Sequence, residues 1–246
     1  DRLSKLLQVP IRIVYEAADI VAAVIGGLAG LGSAIIMIPV LAFTVGIREA
    51  IPITTIAVTM QTWSRVWVNR SLIDFRIVGW FLIGAVPAGI IGAILFANLP
   101  AEYLQKGLAV FLVAIVAYRH TPLVKQISMK PRWFTLVGMG QGFLSAIFGG
   151  AGPFGASFFL AYGLRRGAFV GTMASGMTGV NFVKIGVYGN YDLLDLHGFG
   201  IAVSLGVIMI IGAYVGGLLV NRLSDRVFVY IVEIVMLVAA ASLFLG

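Results

Sequence analysis

The chain has 246 residues, of which 60% are hydrophobic and only 11% are charged. One soluble domain of this length cannot keep so many apolar runs of about 20 residues from water, so the composition predicts an all-α polytopic membrane protein. The formal charge of +7 does not indicate nucleic-acid binding. The basic residues are confined to short loops between apolar runs, which is typical of topology signals.

The sequence lacks the residues that common cofactor and metal sites need. It contains no cysteine and only two histidines, His120 and His197, so it offers no thiolate ligand and no histidine cluster. It has no phosphate-binding loop, which excludes ATP-driven pumping by this chain alone. We therefore expect neither an enzyme nor a resident cofactor.

Apolar runs divide the chain into two membrane repeats. We expect an amphipathic lead-in at residues 1–12, a first repeat at 13–119, a cytoplasmic linker at 120–132 and a second repeat at 133–246. Each repeat opens with a glycine-interrupted segment and continues with three simple spans. The predicted segments are 13–45, 50–68, 77–97 and 101–119, followed by 134–163, 167–188, 198–220 and 224–246.

The opening segment of each repeat must break or double back. Residues 13–45 would extend about 50 Å as one helix, against a hydrocarbon core of about 30 Å. Glycine-rich stretches interrupt the two segments at 26–33 and 142–153. Non-helical backbone survives at membrane depth only where protein or a water-filled cavity satisfies it, so the paired breaks predict a substrate site.

Loop charges predict the orientation of the repeats. Four basic residues and no acid at 119–132 mark the linker as cytoplasmic, whereas Asp192 and Asp195 mark their loop as external. All loops of the second repeat then have basic residues inside and acidic residues outside, provided that 134–163 dips into the membrane and returns to the same face. Equivalent loops then fall on opposite faces, which is an inverted repeat. The alternative is eight full crossings with parallel repeats and both termini inside.

The residues around the breaks favour anion binding. Ser33 is placed to cap a half-helix at 34–45, and Pro153 suits the first turn of a half-helix at 154–163. Free N–H groups and the helix dipole make such N-termini anion sites without charged side chains. Alternatively, the glycines only permit close helix packing. The predicted cradle consists of Gly32, Ser33, Ala34, Gly149, Gly150 and Gly152.

Polar side chains within the spans are further candidates, because each is costly in a membrane. Buried amides need several partners, whereas threonine hydroxyls often bond to their own helix. Arg65 and Lys184 lie near predicted span ends, where snorkelling to the interface competes with substrate contact. The predicted substrate contacts are Gln141, Thr55, Thr172, Ser175, Asn181 and Lys184, and Asp19 is a candidate for carrying a coupling proton.

Two glycine-rich motifs, followed by a Gly-hydrophobic-basic turn and a threonine-containing span, resemble the sulfite exporter TauE/SafE family. They read GGLAGLGS at 26–33 with PVL at 39–41, and GFLS at 142–145 through GGAGP at 149–153 with GT at 171–172. The usual Gly-Gly-Gly is Gly32-Ser33-Ala34 in the first motif and is interrupted by Ala151 in the second. The resemblance implies a multi-pass plasma-membrane protein of a bacterium or archaeon that transports, often exports, sulfite or an organosulfonate and is driven by an ion gradient.

The expected partners are therefore a small anion and membrane lipid, and not nucleic acid. A coupling proton or sodium ion and a homo-oligomer are both compatible with the sequence. Two other functions stay open. A non-transporting scaffold or assembly subunit would have no water-accessible cavity at the breaks, and a cation or metal permease would need carboxylates or histidines near mid-membrane.

Overall fold

A computed structural model describes residues 33–119 and 129–219, with five further positions at 234, 237, 238, 240 and 241. Within these ranges the chain forms helices joined by short turns, and 3-10 turns at Arg70–Leu72 and Pro131–Trp133 precede two of them. The α-helices are α1 Ser33–Val45, α2 Ile47–Val68, α3 Phe75–Asn98, α4 Ala101–Arg119, α5 Phe134–Phe148, α6 Gly152–Ala161, α7 Arg166–Asn190 and α8 Leu196–Leu219.

The helical membrane architecture predicted from the sequence is confirmed, and the boundaries of α2, α3, α4, α7 and α8 lie within a few residues of the predicted spans. Three described stretches are long and apolar enough to cross a membrane: Phe75–Asn98, Ala101–Tyr118 and Leu196–Tyr214. Helices α2 and α7 are as long, at 22 and 25 residues, but several buried polar side chains lower their hydropathy. The predicted lead-in, residues 13–32 and nearly all of 224–246 lie outside the described residues.

Local sequence signals set several helix ends. The Asp74 side chain accepts hydrogen bonds from the N–H groups of Arg76 and Ile77 at 3.1 and 3.2 Å, which caps the start of α3. Gly46 has a φ of +83°, a conformation open to glycine, and lets the chain turn between α1 and α2. Short turns therefore join α1 to α4 in sequence.

Helices α5 and α6 form a hairpin that enters and leaves the bundle at the same end. The break predicted within 134–163 falls at 149–151, where Gly149 has a φ of +76° and ends α5. The ring of Phe134, at the start of the hairpin, packs on Phe159 and Tyr162 at its end, with centroids 4.8 and 5.6 Å apart. This segment is therefore re-entrant in shape, and an inverted relation between the two repeats stays a prediction.

Glycines let α3 and α5 pack backbone against backbone. A methyl group on Gly142 would lie 2.9 Å from Ala85 Cα, and one on Gly138 would lie 3.1 Å from Ala85 N. Gly84 approaches the Thr135 carbonyl as closely from the other side. We call this contact the α3–α5 seam. It shows that the small-residue spacing in these two helices serves packing.

Charged residues separate onto two ends of the bundle. Gly167 packs on Asn69 and Leu72, and the Asp74 N–H donates to Thr172 Oγ1 at 2.9 Å, so two turns share one end. At the other end, Arg48 donates to the Leu99 carbonyl at 2.7 Å. We call the first end the basic face, which carries Arg70, Arg76, Lys130, Arg132, Arg165 and Arg166 beside Asp74. The second end, the acidic face, carries Glu49, Glu102, Asp192 and Asp195 beside Arg48 and Lys106.

This separation bears on how the bundle lies in a membrane. Loops rich in lysine and arginine stay on the cytoplasmic side. We therefore expect the basic face to be cytoplasmic and the acidic face external, as the loop charges of the sequence predict.

Candidate functional site

A cavity of about 430 Å³ lies between the break at 149–151 and the first described turn of α1, and it reaches the basic face. Its described wall comes from the start of α1, the second half of α2, the turn at 149–152, the first half of α7 and the end of α8. Val68 and Asn69, next to the turn that follows α2, mark the end of the cavity at the basic face. The volume is in the range of small-molecule sites.

Two helix N-termini meet in the wall of this cavity. Helix α1 begins at Ser33 and α6 begins at Gly152. A methyl group on Gly150 would lie 2.8 Å from Ala34 Cβ and 3.4 Å from the Ile35 amide nitrogen, so the turn before α6 rests directly on the first turn of α1. We call this contact the α1–α6 junction.

The two helices leave the junction in opposite directions. Helix α1 runs to the acidic face, where it ends one residue before α2 begins, and α6 runs to the basic face, where Phe159 packs on Phe134. Because the first N–H groups of a helix have no acceptor within it, α6 presents its donors and its positive dipole end beside the first described turn of α1. In α6 the Gly155 N–H reaches Ala151 O at 3.4 Å, so the donors of Gly152 and Phe154 precede the first intrahelical bond.

Asn181 adds a side-chain donor to the wall. It is only 1% exposed and lines the cavity from α7. Its Oδ1 accepts a hydrogen bond from Lys184 Nζ at 3.3 Å, whereas its Nδ2 has no partner among the described residues. A buried donor without an acceptor is unfavourable by about 1–3 kcal/mol, so the Nδ2 group is poised for a ligand that accepts hydrogen bonds.

The second half of α2 supplies the remaining polar wall. Gln61 Nε2 donates to Met209 O at 3.2 Å, and Thr62 Oγ1 accepts from Thr178 Oγ1 at 2.9 Å. Arg65 is the one charged side chain among the described lining residues, which include no aspartate, glutamate or histidine. Arginine is therefore the one charged residue type in the described wall. Its apolar part comes mainly from Phe169, Met173 and Met177.

The structure brings together some of the predicted site residues at this cavity. Ala34, Gly149, Gly150, Gly152 and Asn181 line it. Lys184 is fully buried and lies behind Asn181 instead of in the wall. Ser33 is the first residue of α1, whereas Gly32 and Asp19 lie outside the described residues.

Four other predicted residues lie away from the cavity wall. The hydroxyl groups of Thr55 and Ser175 donate to Ile51 O and Gly171 O at 2.7 and 2.8 Å, as threonine and serine often do in helices. Thr172 accepts the hydrogen bond from the Asp74 N–H. Gln141 is fully buried against Gly155 within the α5–α6 hairpin, and neither of its polar atoms has a partner among the described residues.

The comparison with known families agrees with this architecture. A model of the sulfite exporter TauE/SafE family matches residues 17–243, nearly the whole chain. The chain belongs to the TauE/SafE family. As a TauE/SafE protein it is a multi-pass plasma-membrane transporter of the sulfite exporter class and, by membership, not an enzyme. No curated protein and no solved structure gives a significant match.

Sequence reasoning left several wall residues of this TauE/SafE protein out of the site. Gln61, Thr62 and Asn69 line the cavity, and Arg65, which the sequence placed near a span end, lines it as well. The available signal was the repeat itself. Arg65 and Lys184 lie on helices that the sequence predicts to correspond, so a role for one basic residue directs attention to the other.

Proposed function

We propose that the chain is a secondary transporter, acting as an exporter, that binds a small sulfur-containing anion such as sulfite or an organosulfonate at the α1–α6 junction. The backbone N–H groups at the starts of α1 and α6 hold the anionic group, Asn181 donates a further hydrogen bond and Arg65 supplies the charge. A proton or sodium gradient drives the transport.

The observation that carries this proposal is the meeting of two helix N-termini at one cavity. A helix N-terminus attracts an anion through free N–H groups and through its dipole, and two termini add their effects. In a low-dielectric membrane interior these interactions are stronger than in water. The unpartnered Nδ2 of Asn181 supports the same ligand chemistry, because it needs an acceptor.

The wall chemistry disfavours the cation or metal permease. Cation sites are built from carboxylates, carbonyls and imidazoles, whereas the described lining residues carry one arginine and no acid. Among the described residues no group of three or more histidines or acids could hold a metal ion. The described wall therefore offers a cation neither a carboxylate nor an imidazole ligand.

The cavity also disfavours the scaffold or assembly subunit. A protein that uses its glycines only for packing has no need of a cavity at its breaks, and the α3–α5 seam shows what pure packing looks like in this chain. At the α1–α6 junction the same residue type borders about 430 Å³ of space. The apolar wall of α7 fits the carbon part of an organosulfonate, while the junction fits its anionic group.

Transport by purified protein in vesicles tests the proposal. Vesicles are loaded in turn with sulfite, sulfoacetate, taurine and sulfate, and release is followed with each candidate ion gradient. We expect release of at least one sulfur-containing anion above protein-free vesicles. No release of any of the four under any gradient would contradict the proposed function.

Arg65→Gln tests whether the charge of Arg65 contributes to anion binding. We expect it to raise the KM for the transported anion about tenfold, since the wall loses its one described cation. Arg132→Gln removes the same charge from an exposed site on the basic face and serves as the control. Equal KM values for the two variants would remove Arg65 from the binding site.

A further inference from the structure

A second, smaller cavity lies at the acidic face, at the start of α2 and beside the turn that follows α7. It has a volume of about 260 Å³ and is lined by Arg48, Glu49 and Ile53 at the start of α2, by residues 192–195 just after α7, and by Gly198. The first cavity involves the other ends of these helices, from Val58 on α2 and up to Asn181 on α7. The two cavities are therefore separated by residues 54–57 of α2 and by residues 182–190 of α7, with Tyr191 directly after them.

The barrier between the cavities is mostly apolar. Ile56, Ala57 and Tyr188 belong to the main core cluster, and the Tyr188 hydroxyl is bonded to the Ala146 carbonyl oxygen at 2.6 Å. Packing of this kind closes the route between the basic and the acidic face. A transporter whose substrate site is open to one face of the membrane needs such a closed region between the site and the other face.

Two polar groups in the barrier have no packing purpose. Thr54 is fully buried, and its Oγ1 has no hydrogen-bond partner among the described residues. Lys184 is also fully buried, and its Nζ donates to Asn181, the residue that lines the first cavity. Polar and ionisable groups inside a membrane protein are costly and typically mark the path of a polar solute.

We propose that the interface of α2 and α7 between the two cavities is the outer half of the substrate path, and that Lys184 holds the anion there in passing. This inference rests on the proposed function for the nature of the solute. Lys184 lies three residues beyond Asn181 toward the acidic face, about 4.5 Å along the helix. An anion leaving the first cavity outward therefore meets Lys184 next.

The order of charges along this path fits movement from the basic to the acidic face. Arg65 lies in the first cavity, Lys184 lies in the barrier, and the second cavity carries three acids against Arg48. Each basic residue offsets the unfavourable transfer of an anion into the membrane interior. The acids of the last cavity weaken anion binding where the anion must be released.

Single cysteines test the path directly, because the chain has none of its own. In oriented vesicles, a membrane-impermeant thiosulfonate reagent is added at the acidic face to Thr54→Cys and, as the control, to Ala85→Cys. Ala85 is equally buried, but in the α3–α5 seam. We expect Thr54→Cys to react about tenfold faster, because opening of the path exposes it and only unfolding exposes Ala85. Equal rates would overturn the proposed path.

Lys184→Met tests the role of the charge. We expect binding of sulfoacetate to the first cavity to change less than about twofold while the maximal transport rate falls about tenfold, with Lys184→Arg restoring part of the rate. An unchanged transport rate in Lys184→Met would overturn the role. If the variant does not fold, the Thr54→Cys reaction rate decides. Labelling needs no transported anion, so a correct path with the wrong solute remains distinguishable from a wrong path.

Discussion

The α3–α5 seam and the α1–α6 junction both contain glycines at a close contact between helices, yet they differ in what borders those glycines. At the seam, the glycines face the backbone of the opposite helix at near-contact distance and leave no space. At the junction, Gly150 rests on Ala34 in the same manner, but its other side borders the cavity. Glycine at four-residue spacing therefore indicates close packing, whereas glycine at a helix start beside a cavity leaves the backbone accessible from that cavity.

The largest effect is expected at the seam. A valine at Gly142 would drive its side chain into the backbone of Ala85, which we expect to prevent folding and insertion, at a cost of about 3 kcal/mol or more. The yield of monodisperse protein in detergent measures this. Gly79→Ala, on the other helix of the seam, α3, but facing open space, should purify normally. A well-folded Gly142→Val would show that the seam is not closed.

At the junction we expect function to fail before folding does. Gly150→Ala places a methyl group 2.8 Å from Ala34 Cβ, which separates the first turns of α1 and α6. Transport should fall at least about tenfold, and Gly150→Val and Gly152→Val should be worse, since a branched side chain fills the approach to the N–H groups. Uptake is measured at matched expression. Wild-type rates in folded Gly150→Val and Gly152→Val would exclude the junction as the site.

Asn181→Leu is expected to have an intermediate effect. It removes a hydrogen bond to a desolvated anion, worth about 1–3 kcal/mol, which corresponds to about a 5- to 150-fold loss of affinity. Binding of sulfoacetate to the purified protein measures the loss. Asn98→Leu is the control, because Asn98 is exposed and bonds only to its own helix at Ile94 O among the described contacts. Equal affinities would assign Asn181 to packing.

The smallest effect is expected for Ser33→Ala at the start of α1. The backbone donors stay in place and only the cap that the sequence predicts for Ser33 is removed, so binding should weaken by about 1 kcal/mol, or about fivefold. Titration of the variant with sulfoacetate measures the loss of affinity. A loss as large as that of Asn181→Leu would mean that the Ser33 side chain, and not the backbone, holds the anion.

The seam could be predicted from the sequence with more certainty than the cavity. The spacing of Gly138 and Gly142 on a helix already places both on one face, and the apolar length of α3 fixes its span. The break at 149–151 was also predictable, because Gly149 and Pro153 are strong local signals. The structure sets the start of α6 at Gly152, two residues before the predicted 154.

The assignment of polar residues to the wall was not predictable from spacing alone. Thr55 and Thr62 lie on the same helix, yet Thr55 bonds to Ile51 O and Thr62 lines the cavity. Which side of α2 meets α7 depends on packing between distant parts of the chain. For the same reason Arg65, near the end of its helix, could not be told from a residue that reaches the membrane interface.

The central claim is that an anion sits where the N-termini of α1 and α6 meet. A crystal of the protein soaked with 2-bromoethanesulfonate locates such a ligand directly, because bromine scatters anomalously. We expect a bromine peak inside the cavity between α2 and α7, with the sulfonate density against the amides of Ile35 and Gly152 and the Nδ2 of Asn181. A peak only on the lipid-facing surface, or an empty junction in protein that transports the compound, would contradict the account.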